Sequence, residues 1–218
     1  MKKEIYSQGN NAKLGNNVAI LNLPPIKTCP NCSTCVDSCY AHFRYQYPNV
    51  NKRWNQNLEM TKADNFVELS TIELKYKATP IVRFHESGDF YNDEYIDKCF
   101  DLACSNPQIF FFGYTKNKNA LRLNALANVN IIYSLIDTAI GEVRNYGSQE
   151  YCEYLRDNYQ VTICPHGYTA DKDNFKCMID CTQCQHLNSV CFVEHGRKAT
   201  TDKYSRDKLW ELQVEQGD

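Results

Sequence analysis

The sequence predicts one α/β domain over residues 1–218, built on a parallel sheet that is either open or curled into a partial (β/α) barrel. Three observations carry that reading. Short apolar segments of strand character recur along the chain, separated by helical stretches, the pattern of successive βαβ units. The length suits a single core. A composition of 43% apolar and 12% aromatic residues, with 15 Tyr and 10 Phe, can fill such a core and argues against disorder.

In chain order, Asn17 to Leu23 is a short strand closed by Pro24-Pro25. A cysteine group follows and runs into a helical stretch of aromatic and basic residues to Tyr47, where Pro48 interrupts it. A second helix is expected from about Asn55 to Tyr76, burying Leu58, Phe66, Leu69 and Leu74. Pro80 to His85 reads as a strand, ended by Glu86-Ser87-Gly88-Asp89. The next helix starts near Asn92, with Asp93 and Glu94 suiting its first turn. Its apolar face holds Ile96, Cys99, Phe100 and Ala103, and Pro107 lies beyond its end.

Gln108 to Tyr114 is an aromatic strand, and a helix through Leu121, Leu123, Ala125 and Leu126 follows it. Val129 to Leu135 is apolar enough for a strand buried on both faces. A helix near Ser148 to Asn158 leads into the strand Val161 to Cys164, and the tail from Tyr204 reads as a surface helix or a frayed end. Right-handed crossovers bring the loops after all these strands to one face, where α/β folds keep their sites. That face gathers the first cysteine group, Glu86 to Asp89, Thr115-Lys116, Ser134 and Cys164.

Net charge is −2 and the pI is near 6.2, so no strong basic field points to nucleic acid. No apolar run follows Lys2-Lys3 and none reaches transmembrane length, which predicts a cytoplasmic protein without a membrane partner. Arg44, Lys52, Arg53 and Trp54, interleaved with Tyr40, Phe43, Tyr45 and Tyr47, fit either a single-strand surface or a cover over the cysteine loop.

The chain has 12 cysteines, most of them at metal-ligand spacing, and a reducing cytosol disfavours disulfides. The first group is Cys29-x2-Cys32-x2-Cys35-x3-Cys39, in a Cys-rich loop at 29–39. That spacing is found in bacterial ferredoxins and suits a [4Fe–4S] cluster, whereas zinc knuckles are usually set a dozen or more residues apart. The second group occupies a Cys-rich segment at 164–195: Cys164, Cys177, Cys181, Cys184 and Cys191. Five candidates compete there for four positions, with Cys177 and Cys191 as alternatives, and one or two clusters are expected. Zinc is the alternative metal, since thiolates suit both. His166, His186 and His195 read as surface or neighbouring groups rather than ligands. Cys99, Cys104 and Cys152 stand apart and read as small core or partly exposed residues.

The Cys39-Tyr40-Ala41 loop end, the run Arg83-Phe84-His85-Glu86-Ser87-Gly88-Asp89-Phe90, the Tyr114-Thr115-Lys116 strand end and the late Cys-Pro and Cys-x2-Cys elements resemble the phage "gene product 88" family. The resemblance extends from about residue 18 to residue 196. More distantly, the order of elements is similar to that of radical S-adenosylmethionine (SAM) enzymes, which place a cluster loop after the first strand and an amino-group-binding motif after the second. That resemblance implies a radical-SAM-like scaffold and a redox or SAM-related role. Glu86, Ser87, Gly88 and Asp89 would contribute to its SAM site. By strand-end position alone, Glu86 or Asp89 reads as holding an amine or ribose, or the loop reads as a polar one whose Asp89 caps the next helix, and Lys116 reads as a further binding residue or as part of a solvated turn.

The cysteine order departs from that family. Cys32-x2-Cys35-x3-Cys39 reverses the usual Cys-x3-Cys-x2-Cys, and Cys29 supplies a fourth thiolate where an open iron would be needed. Cys177-x3-Cys181-x2-Cys184 has the usual order but lies after the last strand. Two further readings stand beside an enzyme with a small-molecule substrate or redox partner. One is a metal-stapled binding protein contacting a host protein or nucleic acid, and the other is an electron carrier.

Overall fold

The computed structural model describes residues 4–8, 14, 16–30, 39–138, 141–144, 146–147, 149–163 and 190–193. Its main sheet has five strands in the order β1 (Tyr6–Gln8), β2 (Val18–Leu21), β3 (Ile81–Phe84), β4 (Phe110–Thr115) and β5 (Val129–Tyr133). Strands β2 to β5 are mutually parallel, and β1 pairs antiparallel with β2, Tyr6 opposite Leu21. The sheet does not close, with β1 and β5 as its outer strands among the described residues.

The order of the parallel strands is their order in the chain. Between β2 and β3 lie α1 (Tyr40–Tyr45), α2 (Pro48–Lys62) and α3 (Phe66–Lys77); between β3 and β4 lies α4 (Asp93–Cys104). A 3-10 helix, Lys118–Ala125, connects β4 to β5. Right-handed crossovers that never reverse direction must all fall on one face of the sheet. One core cluster shows this: Ala19, Leu21, Val82, Phe84, Phe111 and Ile131 from alternate strand positions join Leu58, Phe66, Leu74, Tyr95, Ile96, Leu102 and Leu123 from the helices. On the opposite face Val18, Ile20 and Phe112 are buried with Leu14, while Ile81, Phe110 and Tyr114 pack against them half-buried. Both faces of β2 are thus covered, which suits its unbroken apolar run.

Four expectations are corrected. The helix expected over Asn55 to Tyr76 is two helices, because the chain turns extended at Ala63 and restarts after Asn65. Asp64 and Asn65 are both weak formers of helix interior, so a break there costs little. Pro48 opens α2 instead of only interrupting the chain, its missing N–H costing nothing in a first turn. Leu69, expected inside, is 39% exposed. The helix after β4 is of 3-10 type, whose three-residue repeat places Ala120 and Leu123 together in the core.

The fifth expected strand also sits elsewhere. β9 (Thr162–Ile163) pairs parallel with β10 (Val190–Val193), which pairs parallel with β8 (Tyr146–Gly147), a group separate from the main sheet. β6 (Leu135–Thr138) and β7 (Gly141–Arg144) form an antiparallel hairpin, and α5 (Gln149–Tyr159) precedes β9. Cys152 and Leu155 of α5 are buried with Val161 and with Cys191 of β10. Cys152 and Cys191, 39 residues apart, are joined as a disulfide with Cα atoms 5.8 Å apart. Cys152, which stands apart from the other cysteines in sequence, thus meets one of them in space. No helix among the described residues is long and apolar enough to cross a membrane.

Candidate functional site

The carboxyl ends of β2, β3 and β4 meet in a continuous hydrogen-bonded rim. Asn22, just past β2, accepts with its Oδ1 from the N–H groups of Glu86 (2.8 Å) and Ser87 (3.1 Å). Leu23 and Ser87 are doubly joined: Leu23 N–H donates to the Ser87 carbonyl, and Ser87 Oγ donates to the Leu23 carbonyl, both at 2.9 Å. These bonds continue the β2–β3 pairing beyond the strands and join the two loops.

Gly88 explains how closely they approach. Its φ is +82°, in the left-handed region, and a Cβ built there would stand 2.5 Å from Thr28 Oγ1 and 2.7 Å from Leu23 Cβ. The absent side chain lets the chain that enters the first cysteine group pack directly on Gly88. Thr28 itself donates to the Pro24 carbonyl at 2.7 Å, closing the turn that ends at Cys29.

Asp89 ties this assembly to β4. Its carboxylate accepts from Thr115 Oγ1, from Lys116 N–H at 2.8 Å and from its own neighbour Phe90 N–H at 2.7 Å. Burial pushes its carboxyl above the usual range, opposed by the hydrogen bonds from Thr115, Lys116 and Phe90. Asp89 does not cap α4; Asn92 does, accepting from Tyr95 N–H at 2.9 Å. At β5 the rim ends with Ser134 N–H donating to the Thr115 carbonyl.

His85 sits in the left-handed region at φ +55° and is buried against Phe84, Phe90 and Tyr95. Its Nε2 lies 2.9 Å from Tyr95 Oη. Desolvation, assisted by Arg83, lowers its pKa to about 3, so the ring is neutral and serves packing.

Glu86 is placed differently from its neighbours. Its carboxylate faces Arg83, with Nη1 to Oε1 at 3.7 Å, and Asn22 Nδ2 at 3.5 Å, while its carbonyl accepts from Tyr40 Oη. Tyr40 is the first residue of α1 and follows Cys39. The tyrosine therefore anchors the exit of the cysteine loop to the β3 rim, as Gly88 and Thr28 anchor its entrance. Cys29 and Cys39, both half-buried, bracket the loop; Cys32 and Cys35 lie outside the described residues.

The second expected ligand set lies mostly outside them as well: Cys164, Cys177, Cys181 and Cys184, with His166, His186 and His195, and the expected tail helix from Tyr204. Among the described residues no group of three or more His, Cys, Asp or Glu side chains could hold a metal ion. Cys191, the described member, is fully buried and bonded to Cys152. Cys99 is a core thiol pushed up by burial, and Cys104 is exposed. Of the aromatic and basic run, Trp54 is buried and stacked on Tyr45, and Arg53 donates to the Tyr6 carbonyl. These side chains serve packing, while Tyr40 and Tyr47 are exposed.

Asn22 and Arg83 were missed as site residues. Arg83 left a signal, a lone charge inside an apolar strand next to the loop that holds the other candidates. Asn22 left none, since a single Asn after a strand reads as an ordinary turn residue.

Fold and rim together define an α/β protein with a sequentially wound parallel sheet and a hydrogen-bonded rim at its carboxyl edge, against which the chain is held at Thr28 and at Tyr40. The chain belongs to the gene product 88 family, whose model matches residues 2–207, the phage family that its motifs resemble. Comparison with curated proteins and with solved structures gives no match.

Proposed function

We propose that this protein is an iron–sulfur protein, with a [4Fe–4S] cluster held by Cys29, Cys32, Cys35 and Cys39. The observation that carries the reading is the clamping of this loop. The spacing is that of a cluster loop, and both of its ends are fixed to the sheet edge, through Thr28 against Gly88 and through Tyr40 to Glu86. Fixing the chain on either side lowers the loop-closure cost of bringing the four thiolates around one cluster.

The second metal site takes Cys164, Cys177, Cys181 and Cys184. Cys177 is favoured over Cys191 because the Cys191 side chain is fully buried among Cys152, Leu155 and Val161. Turning it toward a metal would open the contact between α5 and β10. The second site holds another cluster or zinc.

The role is redox chemistry or electron transfer, and no SAM step is included. Ser87 and Asp89, two residues that a SAM site would use, are engaged with Leu23 and with Thr115 and Lys116. Four thiolates around one cubane also leave no open iron for a ligand.

Cysteine substitutions test the ligand sets. In protein purified without oxygen, Cys32→Ser should lower bound iron and sulfide by about four atoms each, one cubane. Cys181→Ser should remove the metal of the second site, and Cys191→Ser should leave both metal contents unchanged. Full iron in Cys32→Ser would overturn the first assignment. Metal loss in Cys191→Ser as large as in Cys181→Ser would overturn the second.

A further inference from the structure

Arg83 is a largely buried guanidinium that donates no hydrogen bond among the described residues. It stands on β3 one residue before the strand ends and alternates with Val82 and Phe84, which face the helices. Its side chain therefore lies on the opposite face, where it is 17% exposed. Removing an arginine this far from water is costly unless its N–H groups find acceptors.

Two groups attend it, Glu86 and Tyr114, and the guanidinium donates a hydrogen bond to neither. Glu86 Oε1 stands 3.7 Å from Nη1, well beyond the 2.7–2.9 Å typical of a charged N–H···O bond. The Tyr114 ring centroid lies 5.7 Å from Cζ, so the aromatic face attracts the charge without accepting a proton in line. Nε is buried with no hydrogen-bond partner among the described residues. A guanidinium built only for stability would close a two-pronged bond onto Glu86, and this one does not.

We propose that Arg83 anchors an oxyanion-binding site on the carboxyl rim, which takes the carboxylate or phosphate group of a small ligand. The planar fork of N–H donors matches two oxygens of either group. The carboxyl ends of parallel strands are where such sheets bind ligands. Tyr114 holds the guanidinium from one side, and low exposure strengthens each bond that an incoming oxyanion forms. The Glu86 carboxylate beside the guanidinium repels a second negative charge, so the site favours a singly charged group over a dianion. This inference does not depend on the cysteine loops holding a cluster.

The test uses the full chain as purified, titrated separately with sodium acetate and with inorganic phosphate. Binding is followed by calorimetry and by the NMR resonance of the Arg83 Nε–H group in wild-type protein. The expected result is saturable heat with a shift of that resonance for at least one probe, and Arg83→Gln binding that probe at least about tenfold more weakly, the factor for losing a charged hydrogen bond. Response to acetate alone assigns a carboxylate, to phosphate alone a phosphate, and to both the shared oxyanion chemistry. No saturable response to either probe overturns the proposal, as does a folded Arg83→Gln variant that binds as wild type. Should that variant fail to fold, the wild-type Nε–H titration decides alone.

Discussion

At the scale of single residues, Gly88 and His85 hold the rim in shape by opposite means. Gly88 succeeds by having no side chain. Alanine there would face both a left-handed φ and contacts that real Cβ atoms do not make. Gly88→Ala should therefore cost about 2–4 kcal/mol in urea unfolding, the sum of backbone strain and overpacking. A loss under about 0.5 kcal/mol would mean that the loop has room after all.

His85 fills space instead, and its neutrality has a consequence for pH. The unfolded imidazole takes up its proton near pH 6.5, and the buried one only near 3. Between those values the unfolded chain binds more protons, so stability falls as pH drops through the window, by up to about 1.4 kcal/mol per pH unit. Asp89, with its carboxyl raised by burial, pulls the other way just above the usual carboxylate range. Comparing wild type with His85→Asn isolates the histidine, because Asn tolerates the left-handed φ. Denaturant titrations from pH 7 to pH 4 should show a shallower decline in the variant, and parallel declines would contradict the assignment.

Among the elements, α4 was the most legible in the sequence. Asn92, Asp93 and Glu94 mark its start, and Ile96, Cys99 and Ala103 repeat at helical spacing into the core. Removing the Asn92 side chain leaves the Tyr95 N–H without its acceptor, so Asn92→Ala should lower thermal stability by about 1 kcal/mol with the fold intact. An unchanged melting temperature would show that the cap is dispensable.

The parallel strands were equally legible, because apolar runs between polar helices have few other places to go. What escaped was set by partners distant in sequence. β1 has only three residues, and its pairing with β2 is joined by Glu73 of α3, which accepts from the N–H groups of Ile5 and Tyr6. The break between α2 and α3 falls at Ala63 to Asn65, which periodicity alone reads through. β9 looked like a continuation of the main sheet, and its partner β10 follows 26 residues later, beyond the reach of a local pattern.

For the molecule as a whole, sequential winding explains why one edge carries so much. With every crossover on one face, the strand ends deliver Asn22, Glu86, Asp89 and Thr115 to a single rim. The sequence placed Glu86 to Asp89 and Lys116 there correctly, because position after a strand is local information. It could not tell which side chains would be engaged in joining strands. Asp89 and Ser87 are, and their partners Thr115 and Leu23 come from other strands. The pairing of Cys152 with Cys191 was hidden for the same reason, since nothing near either residue announces the other.

The central claim is the cluster, and its most direct test is anaerobic purification of the full chain. Iron, zinc and acid-labile sulfide would be measured with the visible absorption of the same sample. A brown protein with matching iron and sulfide, about four or about eight of each per chain, is the predicted result. A colourless protein that carries zinc and refuses iron on reconstitution would contradict it, and the clamped loop would then be a structural zinc site.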